Sequence, residues 1–227
     1  MTAPSGSTAR RFPSRARRPP TKRGMVRAMS NLVGVPHSAG LASSSFTIKK
    51  PWLAMLGNKF WVYAPDGTLV AFVKIPIFKW KTEMTIYADE GMTQALMHLQ
   101  AQKVVSLNPV FDVLDVQASS RLGSLRKLGL KSMVRDKWEL VDPAGTTVGD
   151  MEETGNSFLR RMIPLLLGTW QIRLGGRPVA RIEQVFTFFA KEFTLDLSES
   201  QGAIDPRFAI ACAVFALLAE SARESSS

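Results

Sequence analysis

Three features of the chain predict a mainly β, α+β fold: a closed antiparallel β-barrel of about twelve strands, built of repeated hairpins around a buried hydrophobic C-terminal α-helix. The first is an apolar run from Phe208 to Ala219 that is closed by Glu220 and leaves no helix face for water. The second is a recurring unit: an aromatic residue, a turn signal, then an apolar-small-any-apolar step ending on a charged or amide residue. The third is the set of breakers between the halves of most units, Pro65-Asp66-Gly67, Asp142-Pro143-Ala144-Gly145 and Gly175-Gly176. Such residues supply positive φ or preset turn geometry between runs that alternate inside and outside with period two.

Taken in order, residues 1–44 read as a disordered basic arm, rich in Pro, Ser, Gly and Ala and without apolar periodicity. An extended piece follows at Phe46 to Ile48. Four clear copies of the unit come next: Phe60 with Val70 to Lys74, Phe111 with Leu122 to Arg126, Trp138 with Val148 to Glu152, and Trp170 with Val179 to Glu183. A weaker copy joins Met84-Thr85-Ile86-Tyr87 to Leu96 to Gln100. Each is expected to be one antiparallel hairpin. With a last extended piece at Phe193 to Leu197, the strands are more than an open twisted sheet carries without curling, and closure removes the edges.

A barrel that wide must be filled, and a helix about 10 Å across is a suitable plug. Asp205 at an N-cap and Pro206 at the first helical position start it, and Phe208, Val214, Phe215 and Leu218 give it bulk between alanines. The apolar run is roughly 18 Å long, short of the ~30 Å hydrocarbon core, so a central helix is expected rather than a membrane anchor. The competing arrangement is an amphipathic helix on a sandwich, against which the missing polar face argues. The barrel domain is expected over 45–222 and a disordered tail over 223–227.

The repeated unit and the closing Ile204-Asp205-Pro206-Arg207-Phe208-Ala209-Ile210-Ala211 resemble the tubby C-terminal-like superfamily, in the branch of LURF-one-related proteins and phospholipid scramblases. The resemblance covers about Ser45 to Glu220. It implies a twelve-stranded barrel around a hydrophobic C-terminal helix, in agreement with the reading above.

Charge is local. Of 29 basic residues ten lie in residues 1–50, which hold no acidic one, so the rest of the chain carries 19 basic against 19 acidic residues. The formal charge of +10 therefore belongs to the front of the chain. That arm fits an electrostatic tether to anionic lipid or nucleic acid, an organelle transit peptide in a eukaryote, or sequence ahead of a start at Met25 or Met29. No apolar h-region follows the arginines, as a secretory signal would need. The single cysteine, Cys212, reads as a small buried hydrophobe, and an intracellular protein is expected, cytoplasmic and peripheral at a membrane.

Chemistry is sparse. Two histidines and one cysteine cannot make the usual zinc site, and no phosphate-binding loop, nucleophile elbow or zinc-protease motif is present. His98 reads as an outward strand residue, and Asp89, Glu90, Glu152 and Glu153 as solvated acids beside turns. The scramblase resemblance implies a calcium-binding acidic segment before the helix, but Phe193 to Asp205 offers only Asp196, Glu199 and Asp205, too few for six to eight oxygen ligands. The expectation is a non-enzyme with no cofactor and no metal, and the sequence identifies no small-molecule substrate.

Lipid contact fits better. Lys79, Trp80 and Lys81 set ammonium groups around an amphipathic aromatic, as suits a membrane interface. Arg126, Lys127, Lys131 and Arg135 belong to a stretch from Arg121 to Lys137 with six basic residues and one acid. Arg160 and Arg161 begin an apolar connection that Pro164 interrupts. These are the candidate residues for anionic phospholipid headgroups, with solvated strand ends as the alternative. A different class, a regulatory module meeting nucleic acid or an acidic protein partner through the arm, is the other reading.

Overall fold

The computed structural model describes residues 40–51, 58–75, 83–102, 109–128, 137–154, 168–185, 187 and 190–224. Its strands are β1 (Ser45–Pro51), β2 (Asn58–Tyr63), β3 (Leu69–Ile75), β4 (Glu83–Tyr87), β5 (Ala95–Ala101), β6 (Val110–Asp115), β7 (Ser120–Lys127), β8 (Lys137–Val141), β9 (Thr147–Thr154), β10 (Thr169–Leu174), β11 (Arg177–Val185) and β12 (Ala190–Asp196), followed by helix α1 (Pro206–Glu224). Each strand pairs with its neighbours in sequence, and β1 closes on β12 to complete a barrel. All pairings are antiparallel, from Ser45 opposite Asp196 in the closing seam to Lys137 opposite Glu152 between β8 and β9.

Every expected hairpin is present. Phe60 stands opposite Val73, Ile86 opposite Met97, Phe111 opposite Leu125, Trp138 opposite Met151 and Trp170 opposite Ile182. In the four clear units the aromatic that opens the unit and the apolar residue near its end are cross-strand partners on the inner face, which is why the pattern repeats. Gly67 and Gly145 turn with φ of 82° and 93°, a conformation that side chains with a Cβ rarely adopt.

The lumen is filled by α1. Phe208 through Leu218 are all buried, and the surrounding strands supply Phe46, Ile48, Phe60, Val62, Met97, Leu125, Trp170 and Phe193 to the same cluster. Phe215 meets the rings of Phe111 at 4.5 Å and Trp138 at 4.8 Å, the latter edge-on. Asp205 caps the helix as expected, its Oδ1 accepting from the Arg207 backbone N–H at 2.8 Å. Burial pushes the Cys212 thiol far up, consistent with an inert core position.

The expected arm lies outside the described residues as far as position 39. Within its last stretch Leu41 is buried in the core cluster, and Ser44 accepts a hydrogen bond from the Leu197 N–H at 2.7 Å. At the other end α1 continues through Glu224, into the expected tail, and residues 225–227 lie outside the described residues.

Candidate functional site

An up-and-down barrel sends alternate connections to opposite ends. At the turn end lie 64–68, 88–94, 116–119, 142–146, 175–176 and the passage 197–205 into α1; at the other, connection end β1, β3, β5, β7, β9 and β11 finish at Pro51, Ile75, Ala101, Lys127, Thr154 and Val185, and most of each stretch from there to the next strand lies outside the described residues. The two sets differ in chemistry. The turn-end stretches hold Asp66, Asp89, Glu90, Asp142, Glu199 and Asp205 and no lysine or arginine, whereas the connection-end stretches hold Lys79, Lys81, Lys103, Lys131, Arg135, Arg160 and Arg161 against Asp136 alone. The latter are also rich in large apolar residues, including Trp52, Phe78, Trp80, Phe158 and Phe186.

Turn geometry explains the acids. Asp66 accepts from the Thr68 N–H at 2.9 Å, Asp142 from the Thr146 N–H at 2.8 Å, and Asp89 from the N–H groups of Thr93 and Gln94. The hydrogen bond from the Thr68 amide holds the Asp66 carboxyl below the usual range.

Lys79, Trp80, Lys81, Lys131, Arg135, Arg160 and Arg161 lie outside the described residues. The strand ends that bracket them, Ile75 and Glu83, Lys127 and Lys137, and Thr154 and Thr169, lie at one end of the barrel. Arg126 and Lys127 are described and diverge, because successive strand residues point to opposite faces. Arg126 stands on the outer wall and donates to Glu139 at 3.1 Å, while Lys127 lies over the ring of Trp138 at 5.3 Å, at the connection-end mouth of the lumen.

The stretch from Arg121 to Lys137 is not one patch. Arg121 is the second residue of β7, near the turn end and about 20 Å along the strand from Lys127. It pairs with Asp112 at 3.3 Å and donates to the Pro143 carbonyl at 2.6 Å. Lys137 bridges Asp150 and Glu152 on the outer wall, where Arg173 meets both acids as well. Burial would raise the Asp150 carboxyl, but hydrogen bonds from Arg173 and Lys137 outweigh it and hold it below the usual range.

Glu152 and Glu153 are likewise not solvated turn acids. Both lie within β9, Glu152 in the outer ion pairs and Glu153 facing inward at 4% exposure. His98 is the outward strand residue expected, its Nδ1 3.0 Å from the Thr85 hydroxyl.

At the turn end Arg207 joins helix to wall. Its guanidinium donates to Asp205 through Nε at 3.1 Å and Nη2 at 2.7 Å, and to the buried Asp115 of β6. Burial would raise the Asp115 carboxyl, yet the Ala118 amide and the Arg207 guanidinium hold it low. Beside this clasp lies a cavity of about 270 Å³, lined by Leu41, Ala42, Leu96, Gln117, Pro206 and the clasp itself. Its one guanidinium is already satisfied by two carboxylates. Among the described residues no group of three His, Cys, Asp or Glu is gathered to hold a metal, and no helix is long and apolar enough to cross a membrane.

One cationic pair was missed by sequence reasoning. Lys59 of β2 stands directly opposite Lys74 of β3 on the outer wall, next to the Trp61–Phe72 pair. The residues are fifteen apart in sequence, and only the register brings them together.

No family model and no curated protein matches the chain. A protein of Arabidopsis thaliana solved by X-ray crystallography aligns with it at 13% identity and a TM-score of 0.44, over 78% of this chain and 91% of that one.

Proposed function

We propose that this chain is a non-enzymatic, LURF-one-related or scramblase-like module of the tubby C-terminal-like superfamily that holds anionic phospholipid headgroups at an intracellular membrane surface. The observation that carries this reading is the composition of the stretches between strands: alternate ones are rich in lysine, arginine, tryptophan and phenylalanine, and the tight turns between them carry acids. Basic side chains near an anionic bilayer contribute about 1 kcal/mol each, and amphipathic aromatics settle at the headgroup level. The lumen is taken up by α1, so the surface is what remains to meet a ligand. The reading needs no calcium, since Asp205 is engaged by Arg207 and by the helix start, and Asp196 accepts from the Ser198 N–H at 2.8 Å.

Flotation with vesicles tests it. Binding to phosphatidylserine-containing vesicles should be strong at low salt and fall as salt screens the contacts. Equal binding to phosphatidylcholine vesicles would remove the electrostatic basis. The regulatory alternative, in which the basic arm meets nucleic acid or an acidic protein, is separated by removing residues 1–39. Lipid binding by the barrel should then survive in part, whereas arm-driven nucleic-acid binding, steeply salt-dependent, should vanish.

A further inference from the structure

We infer that the outer wall of β1 to β4, centred on Lys59, Lys74 and Trp61, is the lateral face by which the barrel lies against an anionic phospholipid bilayer. The inference rests on the lipid-binding reading above and names a surface that reading does not contain.

Lys59 and Lys74 are cross-strand partners, flanked on one side by the inward pair Phe60 and Val73, so both ammonium groups point outward. Like charges directly opposite on adjacent strands repel. Among the described residues neither lysine has an ion-pair or hydrogen-bond partner, and Glu83 on the neighbouring strand pairs with neither.

Elsewhere the wall treats its charges differently. Arg126 with Glu139, Lys137 and Arg173 with Asp150 and Glu152, and Arg121 with Asp112 are all neutralised within the barrel. The sector around Lys59 and Lys74 is left cationic.

The next rung adds an aromatic row. Trp61 stands opposite Phe72, which stands opposite Tyr87, with Trp61 and Phe72 ring centroids 5.5 Å apart. These side chains face away from the lumen, and Phe72 stands apart from the core cluster although it is buried. On the β1 side Tyr63 carries Lys49 over its ring at 5.8 Å, and Lys49 reaches Glu192. Two unpaired ammonium groups beside half-exposed Trp61, Tyr63 and Tyr87 match a bilayer surface, where phosphates lie above an apolar boundary. A nucleic acid held through its phosphates would use the lysines and have no need of the partly exposed Trp61, Tyr63 and Tyr87. Both lysines sit near the strand ends from which the connections 52–57 and 76–82 depart.

The test compares three full-length chains on vesicles of phosphatidylcholine with about one-third phosphatidylserine: wild type, K59Q/K74Q, and K59R/K74R. K59Q/K74Q should bind on the order of tenfold more weakly, and K59R/K74R should bind as wild type does. Trp61→Ala should weaken the binding that survives at high salt. The thermal midpoint of K59Q/K74Q should equal or exceed that of wild type, because a repulsive pair is gone. Wild-type binding that K59Q/K74Q leaves unchanged would overturn the lateral face while leaving the lipid-binding reading in place. Wild-type chain that ignores anionic vesicles would remove both, and an equal loss on a DNA oligonucleotide with none on vesicles would assign the pair to a polyanion instead.

Discussion

Ala213 has 0% exposure at the middle of the lumen helix, between residues that are equally enclosed. A carboxylate there is an unpaired buried ion, so Ala213→Asp is expected to remove several kcal/mol of a total near 5 to 15. Loss of a cooperative thermal transition would be the sign, and a native-like transition would contradict the buried position. Asp115 and Asp205 test the clasp by pH. Both carboxyls titrate below the ordinary value near 3.9, so their contribution is fully present above that pH and is lost as pH falls through the depressed folded values. Asp115→Asn should lower stability at pH 7 by about 3 kcal/mol, measured by urea unfolding, and flatten its decline below pH 4. The helix-capping role of Asp205 was legible in the Asp-Pro pair; that Arg207 would turn back and reach β6 was not, because nothing local links residues 92 apart.

Two glycines mark where strand meets strand and strand meets helix. A Cβ on Gly149 would fall well inside contact distance of the Arg173 carbonyl oxygen across the β9–β10 ladder. Backbone cannot yield there, so Gly149→Ala should cost about 3 kcal/mol by thermal melting. A Cβ on Gly123 would come within 2.8 Å of the Phe208 ring and 2.9 Å of the Val141 carbonyl oxygen. Gly123→Ala should cost about 1 to 3 kcal/mol, with partial rescue by Phe208→Leu, since the two sites share one contact. The hairpins themselves were readable because turn residues and period-two runs are local signals. Which face of β9 lies inward is not such a signal, and so Glu153 reads from the sequence as a solvated acid while the barrel buries it.

For the molecule as a unit, the isoelectric point near 10.1 describes the front of the chain, while the rest balances 19 basic against 19 acidic residues. Where the chain is cut then matters. Removing residues 1–39 should leave the barrel's melting temperature unchanged. Removing 1–44 also strips Leu41 from the core and the Ser44 carbonyl from Leu197, and should cost about 2 kcal/mol. Equal melting of the two truncations would show that Leu41 contributes nothing.

The apolar run from Phe208 to Ala219 already required an enclosure, because no face of it could meet water, and the breakers already required hairpins. Those constraints act over a few neighbouring residues, and they suffice for a barrel around a helix. The candidate cations at Lys79, Lys81, Lys131 and Arg160 were visible individually as residues of suitable type. The ion pairs that take up Arg126 and Arg121 and the meeting of Lys59 with Lys74 depend on strand direction and register. Register is set by closure of the whole ring, including the shift between Val62 and Tyr63, so charge pairing became definite only once every strand had found its neighbour.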